Sequence, residues 1–160
     1  MKPLVLALAF ATTVLAQAAT DLSGTWTLDP SKSDRFPPPP SAGALGAAGS
    51  RGAAGAPANQ IVIRQTPAEL TVLQGTSTYT YKLDGTESWT PPAETKAVAK
   101  WEDGRLVISW KREFFGGPTI GYFTNTGRDV YALTANVLTI EKTATTREGT
   151  ATYKYVFTKS

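Results

Sequence analysis

From residue 59 to the C-terminus, apolar and polar side chains alternate in short runs rich in Thr, Val, Ile and Tyr, each bounded by Gly, Asp or Pro. Period-two alternation over five to eight residues marks a β-strand with one buried face, and no run keeps the three-to-four spacing of an amphipathic helix for a useful length. The pattern predicts strands over Gly24–Leu28, Gln60–Gln65, Leu70–Gln74, Ser77–Leu83, Ala97–Trp101, Leu106–Glu113, Thr119–Phe123, Asp129–Leu133, Val137–Ala144 and Ala151–Thr158. Because successive side chains in a strand point to opposite faces, Tyr153, Tyr155 and Phe157 share one side and Thr152, Lys154 and Thr158 the other. By the same rule Leu106, Ile108 and Trp110 oppose Val107, Ser109 and Lys111, and Tyr79, Tyr81 and Leu83 oppose Thr78, Thr80 and Lys82.

Glycine stands where hairpins need positive φ: Asp84-Gly85, Asp103-Gly104, Gly116-Gly117 and Glu148-Gly149. Each pair predicts antiparallel neighbours. Sequential hairpins with no helical crossover close into an antiparallel up-and-down barrel, all-β, of roughly eight to ten strands, or fold as a sandwich; either shelters the sticky strand edges. The dry face adds Ile61, Ile63, Leu70, Val72, Trp101, Leu138 and Ile140. Its aromatics either fill the interior or line a small cavity, and the alternation does not choose between these.

Two segments fall outside this pattern. Residues 1–18 open with one cation, run apolar to Leu15 and end in Ala16-Gln17-Ala18, the order of a signal peptide and too short for a membrane span. Export to the periplasm or beyond is therefore expected, with one domain over 19–160. Residues 37–59, introduced by Phe36 and four prolines, are a low-complexity Pro/Gly/Ala tract with too little apolar surface to offset its ordering entropy. Such a loop after the first strand is read as a flexible spacer, with a lid over the barrel mouth or a polyproline ligand for a partner as the alternatives.

Composition removes more chemistry than it adds. Histidine and cysteine are both absent, which excludes Ser-His-Asp and Cys-His catalysis, imidazole acid–base work, disulfides, a lipid-anchoring cysteine, and metal sites built on N or S ligands. Sixteen Lys and Arg against 13 Asp and Glu give a net charge of +3. Apart from Lys111-Arg112 the cations are scattered singly, so no stripe follows a phosphate backbone and nucleic acid is not an expected partner. Most acids sit in turns, and only Glu113 and Glu141 stand within strands. No enzyme activity, cofactor or metal is expected. Trp89, in Ser-Trp-Thr-Pro-Pro, falls in an expected loop and is a candidate interaction residue; the competing reading folds it over the barrel end.

The segment Asp21-Leu22-Ser23-Gly24-Thr25-Trp26 through Asp34, together with Tyr81 to Glu87 and Ala99 to Ile108, resembles small secreted bacterial proteins described as lipocalin-like. Gly24-x-Trp26 is similar to the opening motif of the lipocalin and calycin group. That resemblance implies a barrel plugged at one end by Trp26, with a basic residue of the last strand over the ring, for which Lys154 is the candidate. A fully buried indole contributes on the order of 4–6 kcal/mol as an upper estimate. The expected function is a monomeric, non-catalytic binding protein holding a small apolar or amphipathic ligand among Tyr79, Tyr81, Trp101, Trp110, Tyr153, Tyr155 and Phe157. The alternative is a solidly packed barrel that acts on partners through its loop and Trp89.

Overall fold

The computed structural model describes residues 19–35, 58–90, 95–119 and 121–160; the expected leader 1–18 and all but residues 58 and 59 of the 37–59 loop lie outside them. Ten strands follow in order: β1 (Gly24–Leu28), β2 (Gln60–Gln65), β3 (Glu69–Gln74), β4 (Ser77–Lys82), β5 (Glu87–Thr90), β6 (Thr95–Glu102), β7 (Arg105–Phe115), β8 (Tyr122–Thr134), β9 (Val137–Thr146) and β10 (Gly149–Lys159). All pair antiparallel in one sheet of order β4-β3-β2-β1-β10-β9-β8-β7-β6-β5. No helix among the described residues is long and apolar enough to cross a membrane.

Every neighbour in that order is also a neighbour in sequence, except where the first and last strands meet, with Trp26 opposite Lys159 and Leu28 opposite Phe157. The two edge strands, β4 and β5, are joined by the Asp84-Gly85 turn and lie against each other. The result is an up-and-down β-barrel, nearly closed. The seam departs from the hairpin expected at Asp84-Gly85, because no residues of β4 and β5 pair. Instead the Lys82 N–H donates to Ser88 Oγ at 2.8 Å, with Ser88 buried at the gap.

Where β1 ends, residues 29–34 continue along β10. Asp29 N–H donates to Val156 O and Asp34 N–H to Lys154 O, both at 2.8 Å, while Val156 N–H donates to Ser33 Oγ and Lys154 N–H to Asp34 Oδ2. Backbone groups that β1 is too short to reach are thus satisfied, and Val156 is buried on the outer face. The strap is held by Asp29, whose carboxylate accepts from Ser31 and bridges Lys32 at 3.0 Å; hydrogen bonds from Ser31 first, then Lys32, lower its pKa to about 2.

Two strand expectations are corrected. Thr119–Phe123 and Asp129–Leu133 are not separate: residues 119 and 121 belong to a turn, and Tyr122–Thr134 is one strand, paired with β7 from Tyr122 to Tyr131 and with β9 from Thr126 to Thr134. Glu87–Thr90, expected as loop, is β5, with Ser88 and Thr90 inward and Trp89 outward. Polar residues at its inward positions hide the alternation by which a strand is recognised.

The core is continuous through the barrel. Leu22, Trp26, Ile61, Ile63, Leu70, Leu106, Ile108, Leu138, Tyr155 and Phe157 are all essentially inaccessible to solvent. Trp26 donates its indole N–H to Leu22 O at 3.0 Å, which pays no polar penalty for its burial.

Candidate functional site

The inward face carries all seven expected lining residues. Tyr155 and Phe157 are buried, and Tyr79, Tyr81, Trp101, Trp110 and Tyr153 are partly buried against the core. At the plugged end the cation over Trp26 is Lys159, whose Nζ lies 5.4 Å from the ring centroid. Lys154, expected there, is exposed and lies on the opposite face of β10. Parity is the reason: residues 153, 155, 157 and 159 point inward, so an even-numbered residue cannot reach the ring. Gly24, at φ +147°, makes room for the lysine, since a Cβ there would meet Lys159 Cε at 2.8 Å.

The same inward face holds a charged pair that composition did not reveal. Asp129 of β8 stands opposite Lys142 of β9, with Nζ to Oδ2 at 2.7 Å and the two side chains only 8% and 16% exposed. Trp110 Nε1 donates to the other carboxylate oxygen at 3.2 Å. That indole reaches Asp129 by lying flat across Gly127, its cross-strand partner. A Cβ at 127 would come within 2.2 Å of Trp110 Cζ2. Ala144 stands opposite Gly127 and Ala151 opposite Ala144, so the row next to the indole is built of small residues.

Burial disfavours the charge of Lys142, but the Asp129 carboxylate and its hydrogen bond outweigh that and hold its pKa above the ordinary value. Burial also raises Tyr81, Tyr131 and Tyr155, with neighbouring Tyr131 adding to the rise at Tyr81 and Asp129 to that at Tyr131. The lysine and the carboxylate thus form a buried ion pair that ties β8 to β9 on the inward face. Tyr155 Oη, Trp101 Nε1 and Asn125 Oδ1 are buried with no hydrogen-bond partner among the described residues. Between Ile61, Val72, Gln74, Tyr131, Lys142 and Tyr155 lies a cavity of about 10 Å³, room for a single water-sized body. On the outer wall a shallow depression of about 240 Å³ runs beside Glu102 and Arg128, which bridge each other at 3.2 Å. Among the described residues no group of three or more His, Cys, Asp or Glu is placed to hold a metal ion.

One end of the barrel is different in kind. The pairing of β6 with β7 stops at Lys96 opposite Lys111, and that of β9 with β8 at Thr145 opposite Thr126. Residues 112–115 and 122–125 therefore pair only with each other, and the hairpin projects. Phe114 and Phe123 stack at 5.3 Å, with the Arg112 guanidinium 4.4 Å over Phe114 and that of Arg147 5.6 Å over Phe123. Beyond them Phe115 and Tyr122 pack at 4.9 Å yet remain 60% and 80% exposed. The turn is closed by Gly121 N–H to Gly117 O and Gly116 N–H to Gly121 O. Trp89, also 60% exposed, lies nearby in register, opposite Lys96, whose Nζ sits 4.9 Å over its ring.

Sequence reasoning missed Asp129, Lys142, Gly127, Lys159 and the four hairpin aromatics. A signal existed for some of them. Lys142 alternates in phase with Leu138 and Ile140, and Asp129 with Tyr131, so parity alone puts both inside; paired aromatics flanking Gly116-Gly117 mark a hairpin tip. Comparison with known proteins finds no matching family model, no matching curated sequence and no matching solved structure.

Proposed function

We propose that this protein is a non-enzymatic recognition module: its barrel interior is structural, and its working surface is the end that presents Trp89, Phe115 and Tyr122. The observation that carries this reading is the tight packing of the wall around Lys142 and Tyr155. The cavity beside Lys142 and Tyr155 measures about 10 Å³, whereas a pocket for a small organic ligand needs roughly 300–1,000 Å³. An aliphatic or retinoid-sized guest would have to displace Tyr155 and Phe157, which are now fully buried. The reading keeps the chain lipocalin-like in architecture, supported by the buried Trp26 under a cation from the last strand. It also keeps the chain exported, supported by the charge and apolar order of residues 1–18, and monomeric.

A second reading, a ligand held inside the barrel, draws on one observation. Tyr155 Oη is buried beside Lys142 without a partner, and a buried hydroxyl left unpaired costs on the order of 1–3 kcal/mol that a polar guest would recover. Denaturing extraction of the purified protein followed by mass spectrometry separates the two. The packed-interior reading expects no small molecule in stoichiometric amount. One apolar or amphipathic molecule per chain would replace it with the second reading.

A further inference from the structure

Resting on the reading of the projecting end as the working surface, we infer that the β7–β8 tip is a docking element for the interfacial layer of a phospholipid bilayer. From Phe114 to Phe123 the chain carries no charged side chain, and four of those ten residues are aromatic. Phe115 and Tyr122, the outermost pair, are left exposed although Phe114 and Phe123 directly behind them are partly covered by arginines. Large aromatic rings standing free on a projecting element lose free energy in water. They gain it at the headgroup boundary, where an amphipathic ring keeps one edge wet.

The order of groups along the hairpin fits that layer. Strand residues advance about 3.3 Å each, so Arg112 and Lys111 follow roughly 10–13 Å behind Phe115. Interfacial elements bury their apolar side by about 5–10 Å, which leaves these cations, with Arg147, at the depth of the lipid phosphates. Lys96 lies over Trp89 on the neighbouring strands and extends the same band. Glu113 and Glu148 share the zone, and Glu87 is already bridged to Lys96 at 3.5 Å, so among the described residues the cationic excess is a single charge. Aromatic burial therefore supplies most of the affinity, and anionic lipid adds about fivefold for that one charge.

The shape argues against a second copy as occupant. A narrow, convex hairpin end does not offer the roughly 800 Å² per partner that a stable dimer requires, and apposing two such ends would bring their arginines together. A fluid surface imposes neither condition.

Sedimentation of the full exported chain with vesicles of phosphatidylcholine, alone and with one quarter phosphatidylglycerol, tests the inference. Binding to both is expected, about fivefold stronger with the anionic lipid. The double variant F115S/Y122S should bind at least tenfold more weakly to both. Both residues are largely exposed, so its far-ultraviolet circular dichroism and urea midpoint should match the parent. V137S, which changes an exposed valine at the start of β9, at the end of the barrel away from the tip, should leave binding unaltered. No sedimentation of the parent, or equal sedimentation of F115S/Y122S, overturns the inference. A lipid-free dimer that F115S/Y122S abolishes overturns it in favour of self-association. Failure here with no extracted ligand removes only the membrane as partner, whereas an extracted ligand removes the reading beneath it.

Discussion

Asp129 and Lys142 enter the barrel only as a pair. Each lies on an inward position among Tyr81, Tyr131 and Trp110, where an isolated charge would be far from any compensating group. Their 2.7 Å contact and the Trp110 hydrogen bond satisfy the carboxylate on both oxygens. Breaking a buried pair from one side leaves a stranded charge, whereas replacing both partners by apolar groups of similar size is close to neutral. Lys142→Met should therefore cost about 3–5 kcal/mol in urea unfolding, and the double change Asp129→Leu with Lys142→Met should return most of it. Additive losses in that cycle would mean that the two charges are solvated independently. At the same scale Lys159 rather than Lys154 covers Trp26, a distinction decided by one step of parity.

At the scale of elements, β8 is the most instructive strand. Thr124-Asn125-Thr126-Gly127 reads as a break because asparagine and glycine are poor strand formers, and the expected pattern divides there. Pairing on both sides of residues 126–131 overrides that weak local preference. Gly127 is where it is because Trp110 lies across it, a tertiary reason with no local signature. Gly127→Ala should lower stability by about 1–3 kcal/mol through overpacking against the indole, measured by urea unfolding. An unchanged midpoint would show that Trp110 has another place to go. Elsewhere the strands were legible: Gly24–Leu28 and Gln60–Gln65 coincide with expectation because alternation and breakers agree there. β5 was hidden by its inward Ser88 and Thr90. The seven lining residues could be named from alternation alone, but which of them meet across the barrel depends on the register of neighbouring strands, which alternation leaves open.

For the whole molecule, the interior behaves as one protonated unit. Tyr81, Tyr131, Tyr155 and Lys142 all have their pKa raised in the folded chain. Each keeps its proton at a pH where the unfolded chain has begun to release it. Their contribution is thus complete below about pH 10, where the unfolded chain begins to titrate, and is lost as pH rises from there toward the higher folded values. Unfolding free energy should hold steady up to about pH 10 and fall above it, with part of the tyrosinate absorbance near 295 nm appearing only as the barrel opens. Tyrosinate formation complete before any loss of folded signal would contradict this.

A filled barrel leaves no dry void for a guest. Xenon occupies dry apolar cavities far larger than one water molecule and shifts the methyl resonances that line them. Methyl-labelled protein titrated with xenon should give no saturable shift at Ile61, Val72 or Ile140, which border the small cavity beside Lys142. Saturable shifts confined to those three residues would reveal a hollow interior and return the function to a ligand held within.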